Sequence, residues 1–110
     1  MLDIYRVALE LARLVGVQGG RVAQHDKDLA RQMRRSMASV VLNIAEASGC
    51  DGGTRVQRYK DALGSARETV AALELSDALG YGAQIDAVMM SKWDHVIGVL
   101  VICTFRRRAS

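Results

Sequence analysis

Arginine dominates the residues that could do chemistry. Arg31, Arg34 and Arg35 fall within adjacent turns of any helix that contains them, Arg55 and Arg58 follow a glycine-rich break, and Arg106, Arg107 and Arg108 stand near the end of the chain. At that spacing at least two of the first three guanidinium groups can point the same way, and phosphate is the ligand they suit, because each neutralised phosphate releases counterions. The distribution of charge is more telling than the formal net value of +3. Arg21, Lys27, Arg31, Arg34 and Arg35 outnumber Asp26 and Asp28, and Arg55, Arg58, Lys60 and Arg67 outnumber Asp61. Beyond them Glu68, Glu74, Asp77, Asp86 and Asp94 face only Lys92. A solvated helix face, or ion pairs to the acidic segment of a neighbouring subunit, explains the same segregation. No aromatic residue interleaves with these arginines to stack bases, which argues against a platform that reads single-stranded sequence.

A second set of polar residues is small and lies on helical stretches. Ser39, Asn43 and Glu46 lie among apolar residues of one stretch and Gly64, Ser65 and Glu68 among those of another. Burying such groups costs free energy unless they meet partners, so a hydrogen-bonded helix-helix seam is expected, with Gly64 allowing close backbone approach near Ser39 or Asn43. The functional alternative is a polar ligand site around Asn43, Glu46, Arg67 and Glu68. Use of Glu46 and Glu68 as paired acid and base requires them to converge in a cleft. His25 and His95 are isolated from each other, and Cys50 and Cys103 lack metal-ligand spacing, so no metal and no cofactor is expected. Without a phosphate loop or a recognisable nucleophile-base constellation, the chain is not expected to be an enzyme.

Hydropathy predicts the elements that must position these residues. With 110 residues, 50% of them hydrophobic, no proline and few aromatics, residues 1–110 fit a single domain with an aliphatic core. A first helix is predicted from about Leu2 to Val15, stopped by Gly16, Gly19 and Gly20. The second starts near Asp26 or Asp28 as cap, carries Leu29, Met33, Met37, Val40 and Ile44 on one stripe, and closes at Gly49, Gly52 and Gly53. Thr54 is the expected cap of the third, whose stripe is Val56, Tyr59, Leu63, Ala66, Val70 and Leu73 and which breaks at Leu79 to Gly82. The fourth is expected from about Ala83 to Phe105. Short connections between long helices make the fold an all-α, antiparallel up-down-up-down four-helix bundle, with Leu11 and Val96 also in its core.

The segments Gln32 to Ala47 and Arg58 to Leu73 carry a specific resemblance. The chain resembles the four-helix-bundle family of intervening-sequence proteins encoded within 23S ribosomal RNA genes, and more distantly the accessory variability determinant proteins of diversity-generating retroelements. The family's first block, Q-x-R-R-A-x-x-S-I-x-x-N-I-A-E-G, is matched by Gln32, Arg34, Arg35, Ser39, Asn43, Ile44, Ala45 and Glu46. Its second, A-L-G-S-x-x-E-L, is matched by Ala62, Leu63, Gly64, Ser65 and Glu68. Ser36 stands where Ala is usual, Val41 where Pro is common, Ala47 where Gly is usual and Thr69 where Leu is usual. The resemblance implies a bundle that forms rings, usually pentamers, and a role close to nucleic acid.

Self-association is expected from the chain itself as well. Val96 to Phe105 is apolar around nearly the whole helix, more than one stripe of an isolated bundle requires, which assigns Val99, Ile102 and Phe105 to an oligomer interface. The alternative is that this end lies deeper in the bundle because the first helix is short. The longest apolar run is shorter than the ~20 residues of a membrane span, and the amphipathic start lacks the features of a secretion signal. The expectation is therefore a cytoplasmic homo-oligomer without a membrane role. It either binds RNA or DNA without base specificity or serves as a structural or protein-interaction oligomer.

Overall fold

Apolar stripes decide where the helices run, and in the first helix they override three glycines. The structure, a computed structural model, describes residues 2–106. Its helices are α1 (Leu2–Ala23), α2 (Lys27–Ala47), α3 (Gly52–Ala78) and α4 (Ala87–Val101), the last continued by a π-helical turn, Ile102–Arg106. The expected stop of α1 at Val15 does not occur. Ile4, Ala8, Leu11, Val15 and Val22 form one buried stripe, and burial of its far end outweighs the roughly 1 kcal/mol that each interior glycine costs relative to alanine.

Capping fixes the remaining boundaries. Asp26 caps α2 as expected, its Oδ1 accepting from Leu29 N at 2.9 Å. Thr54 is not the cap of α3: the helix starts at Gly52 after Asp51, which makes no side-chain capping bond, and glycine accommodates the positive φ of 54° there. α4 begins later than expected, at Ala87, because Asp86 Oδ1 accepts from Met89 N at 2.8 Å and Ala83 to Asp86 are irregular. α3 ends where the Leu79 to Gly82 break places it. Gly80 N donates to Asp77 O at 3.0 Å and Tyr81 N to Ser76 O at 2.9 Å, a Schellman pair that uses the left-handed φ of 75° at Gly80.

Cross-helix pairs give the packing directions. Ser36 meets Thr69, Ser39 meets Ser65 and Glu46 meets Arg58, so numbering falls along α3 as it rises along α2. Glu10 with Lys92 and Gln18 with Gln84 run the same way between α1 and the α4 segment. α2 packs on α3 and α1, and α4 closes the bundle against α3 and α1. The long axis spans 46 Å.

The core contains Leu11, Leu29, Met33, Met37, Val40, Ile44, Leu63, Leu73 and Val96 as expected, with Trp93 and Tyr59 among its largest side chains. Val70 is only half-buried, because Thr69, Leu73 and Ser76 take the inward positions along this part of α3. The segment Ala87–Phe105, with mean hydropathy 1.4, is long and apolar enough to cross a membrane by length and composition, and 28% of it is buried. That corrects the shorter apolar run read from sequence, Val99 to Cys103 with flanking Ile97, Gly98, Thr104 and Phe105. In the bundle Met89, Trp93, Val96 and Leu100 of this segment fill the core, and Lys92 Nζ bonds Glu10 Oε2 at 3.0 Å.

Leu63, 2% exposed, tests the packing. Leu63→Ala should lower unfolding free energy by about 2–5 kcal/mol in denaturant titrations followed by circular dichroism. A loss below about 1 kcal/mol would place this side chain outside a tightly packed core.

Candidate nucleic-acid interface

The α2–α3 seam is built from hydroxyls that bond one another. Ser39 Oγ and Ser65 Oγ lie 2.7 Å apart, and Asn43 Nδ2 donates to Ser39 O at 2.9 Å and reaches Ser39 Oγ at 3.1 Å. One helical turn away, the buried Thr69 Oγ1 lies 2.7 Å from Ser36 Oγ, which in turn reaches Met33 O at 3.1 Å. Ser36 and Thr69 are two of the departures from the family pattern, and they are each other's partner. Each hydroxyl also reaches a carbonyl of its own helix, Ser36 that of Met33 and Thr69 that of Ser65 at 2.8 Å, so the contact between them adds a bond across the seam to bonds made within each helix.

Gly64 does not take the role expected of it. It is exposed, and a Cβ there would meet nothing within 4 Å, so close approach of the two helices rests on Ser65, Ala62 and Ala66 instead. Nor do the two glutamates converge. Glu46 Oε2 pairs with Arg58 Nε at 3.4 Å, while Glu68 borders a shallow depression with Gln32, Arg35, Ser36, Ser39 and Ser65. Glu68 lies at the level of Ser36, ten positions before Glu46 on α2, which separates the carboxylates by about 15 Å along the axis. Among the described residues no group of His, Cys, Asp and Glu could hold a metal ion.

The arginines divide into two groups. At one end of α2, Lys27, Arg31, Arg34 and Arg35 surround a depression floored by Ala23, Ala30 and Ala38. Arg31 pairs with Asp28 at 3.5 Å, but the side chains are 66% and 90% exposed, so solvent screens the contact and it holds Arg31 only weakly. Arg34 lies across α1: a Cβ on Gly19 would stand 2.8 Å from Arg34 Nε, so the absence of that side chain lets the guanidinium cross the neighbouring helix. At the other end, Arg55 and Arg58 already have partners. Arg55 Nε is shared between Cys50 O at 2.7 Å and Ala47 O at 3.2 Å, capping the carbonyl end of α2, and Arg58 holds Glu46. The side chain of Arg106, and the whole of Arg107 and Arg108, lie outside the described residues.

One feature contradicts the expectation that no aromatic accompanies the cations. His25 and Tyr81 stack with centroids 5.2 Å apart and planes within 2° of parallel, and His25 is two residues from Ala23 and from Lys27, which line the basic depression. These rings are 56 positions apart in sequence, so only the packing of the two end turns brings them together. The signal available in sequence was the glycine pair around Tyr81, which marks a turn of fixed shape.

An all-α four-helix bundle with a polar α2–α3 seam and a one-ended basic surface is thus the class of protein that the fold and site define. Residues 1–100 match the family model described as 23S rRNA-intervening sequence protein, and the chain belongs to that family. No curated protein and no solved structure matches it significantly.

The seam has a direct energetic test. In a double-mutant cycle of Ser36→Ala and Thr69→Val, the coupling energy should be about 0.5–1.5 kcal/mol, with the double variant less destabilised than the sum of the singles. Additive losses would mean that the two hydroxyls do not depend on each other.

Proposed function

We propose that this chain is a cytoplasmic, homo-oligomeric accessory protein that binds RNA or DNA through the phosphate backbone, without base specificity. The observation that carries the reading is the convergence of Lys27, Arg31, Arg34 and Arg35 on one depression. Cations gathered around a small-residue floor admit a phosphate chain at close range, and released counterions, not hydrogen bonds that read base edges, supply the binding free energy of these contacts. Arg55 and Arg58 contribute charge to the surface, but their hydrogen-bonding capacity is partly spent within the chain.

Self-association supplies the affinity that one small patch lacks. Ile102 and Phe105 are 49% and 57% exposed and Val99 is half-buried, an apolar outer face at one end of the bundle. A short first helix does not account for it, since α1 has 22 residues and α4 has 15. Burial of Val99, Ile102 and Phe105 against further copies, five in all by family resemblance, repeats the basic depression on one rigid body and raises its effective concentration. A structural or protein-interaction oligomer is the competing reading, favoured by the arginines already engaged in capping and ion pairing.

Charge reversal at Arg31 and Arg35 should weaken binding to all sequences to a similar degree and flatten the dependence of log K on log salt by about one unit for each lost phosphate contact. Circular dichroism should stay unchanged. No binding of the wild-type chain to either nucleic acid at low salt would decide for the interaction oligomer.

Val99→Asp and Ile102→Asp should each give smaller species in light scattering, because a carboxylate cannot be buried unpaired in an apolar interface. Unchanged size in both variants would remove this face from the assembly.

A further inference from the structure

The two turns at one end of the bundle are rigid by independent means, and both present an aromatic ring. Between α1 and α2, His25 N donates to Val22 O at 2.9 Å and Asp26 N to the same carbonyl at 2.8 Å, while Asp26 caps α2. Between α3 and α4, Tyr81 follows the Schellman turn and stands between Gly80 and Gly82, whose φ values are 75° and 87°. The His25 and Tyr81 rings meet in an offset parallel stack. Tyr81 is half-buried, whereas His25 remains exposed although Tyr81 covers one face of its ring.

Cation-bearing residues flank the two turns. His25 is two residues from Ala23 and from Lys27, both of which line the basic depression, so its Cα is within about 8 Å of theirs. Arg21 is close to the other turn, its Cβ 3.7 Å from where a Cβ on Gly82 would stand. A contact serving only to tie the two turns together is met by any apolar pair and gains nothing from an exposed imidazole beside Lys27.

We propose that the basic depression takes single-stranded nucleic acid, with one base stacked on the open face of His25 so that it extends the His25 and Tyr81 stack, and with the flanking phosphates on Lys27 and Arg31. This rests on the phosphate-binding reading above and adds a strand class to it. Duplex bases are paired and stacked on one another and offer no free face, while stacking on an imidazole accepts any base, in keeping with binding that does not read sequence.

The test uses the wild-type chain and fluorescence anisotropy with three probes at one low salt concentration: a single-stranded oligouridylate, an abasic phosphodiester chain of equal length, and an RNA duplex of equal length. The oligouridylate should bind about 5- to 100-fold more tightly than the abasic chain, the range expected for stacking one base. His25→Ala should abolish that preference without changing abasic affinity, and His25→Phe should retain it. Equal wild-type affinity for oligouridylate and abasic chain overturns the stacking inference and leaves phosphate binding standing. So does a preference that survives in His25→Ala. Absence of binding to all three probes overturns both.

Discussion

A hydroxyl enclosed between two helices must find a partner, and the α2–α3 seam meets that demand with pairs that set both separation and register. Ser36 with Thr69 and Ser39 with Ser65 are contacts of 2.7 Å between short side chains. Side chains of that length bridge only backbones that lie close together, and they match only one relative position along the axes. An apolar seam of alanines would pack as closely, but it would tolerate a slip of one turn far better, because burial is not directional and hydrogen bonds are. The rest of the bundle inherits this register: α1 lies on α2, α4 spans α3 and α1, and the lengths of the end turns leave little freedom to compensate.

What could be read in the sequence follows from the kind of physics involved. Apolar periodicity revealed four helices and most of the core, because burial of a stripe is a property of each segment alone, whereas the antiparallel order was expected from the short connections between them. The seam was legible for the same reason, since Ser39, Asn43 and Ser65 stand out on helices that are otherwise apolar. Boundaries were harder. Gly16, Gly19 and Gly20 carry a local penalty that reads as a stop, and only the tertiary burial of Val22, with Arg34 lying over Gly19, reverses it. Gly64 failed in the opposite sense: the cost of a glycine inside a helix pointed to a close helix contact as compensation, yet the residue faces open space.

The candidate site was legible only in part, because charge counting does not distinguish a guanidinium in use from one available to a ligand. By composition Arg55 and Arg31 are equivalent. In the structure Arg55 closes the carbonyl end of α2 through two short contacts, and Arg31 has an exposed carboxylate neighbour that water screens. The basic surface is therefore narrower than the sequence implied, concentrated at the end of the bundle where α2 begins.

That concentration links the seam to the stacked rings. Tyr81 follows the end of α3 and His25 lies in the turn that leads into α2, so their meeting depends on the relative position of those two helices, which the Ser36 and Thr69 pair fixes from the middle of α2. A slip of one turn would displace the rings by about 5.4 Å, more than their present centroid separation of 5.2 Å, and the stack would be lost. Lys27 and Arg31 would stay with α2 and keep their charge. Phosphate attraction is thus tolerant of helix register and ring stacking is not, so under the proposed function the polar seam would bear on which strands the surface can hold, although it lies inside the bundle and would touch none of them.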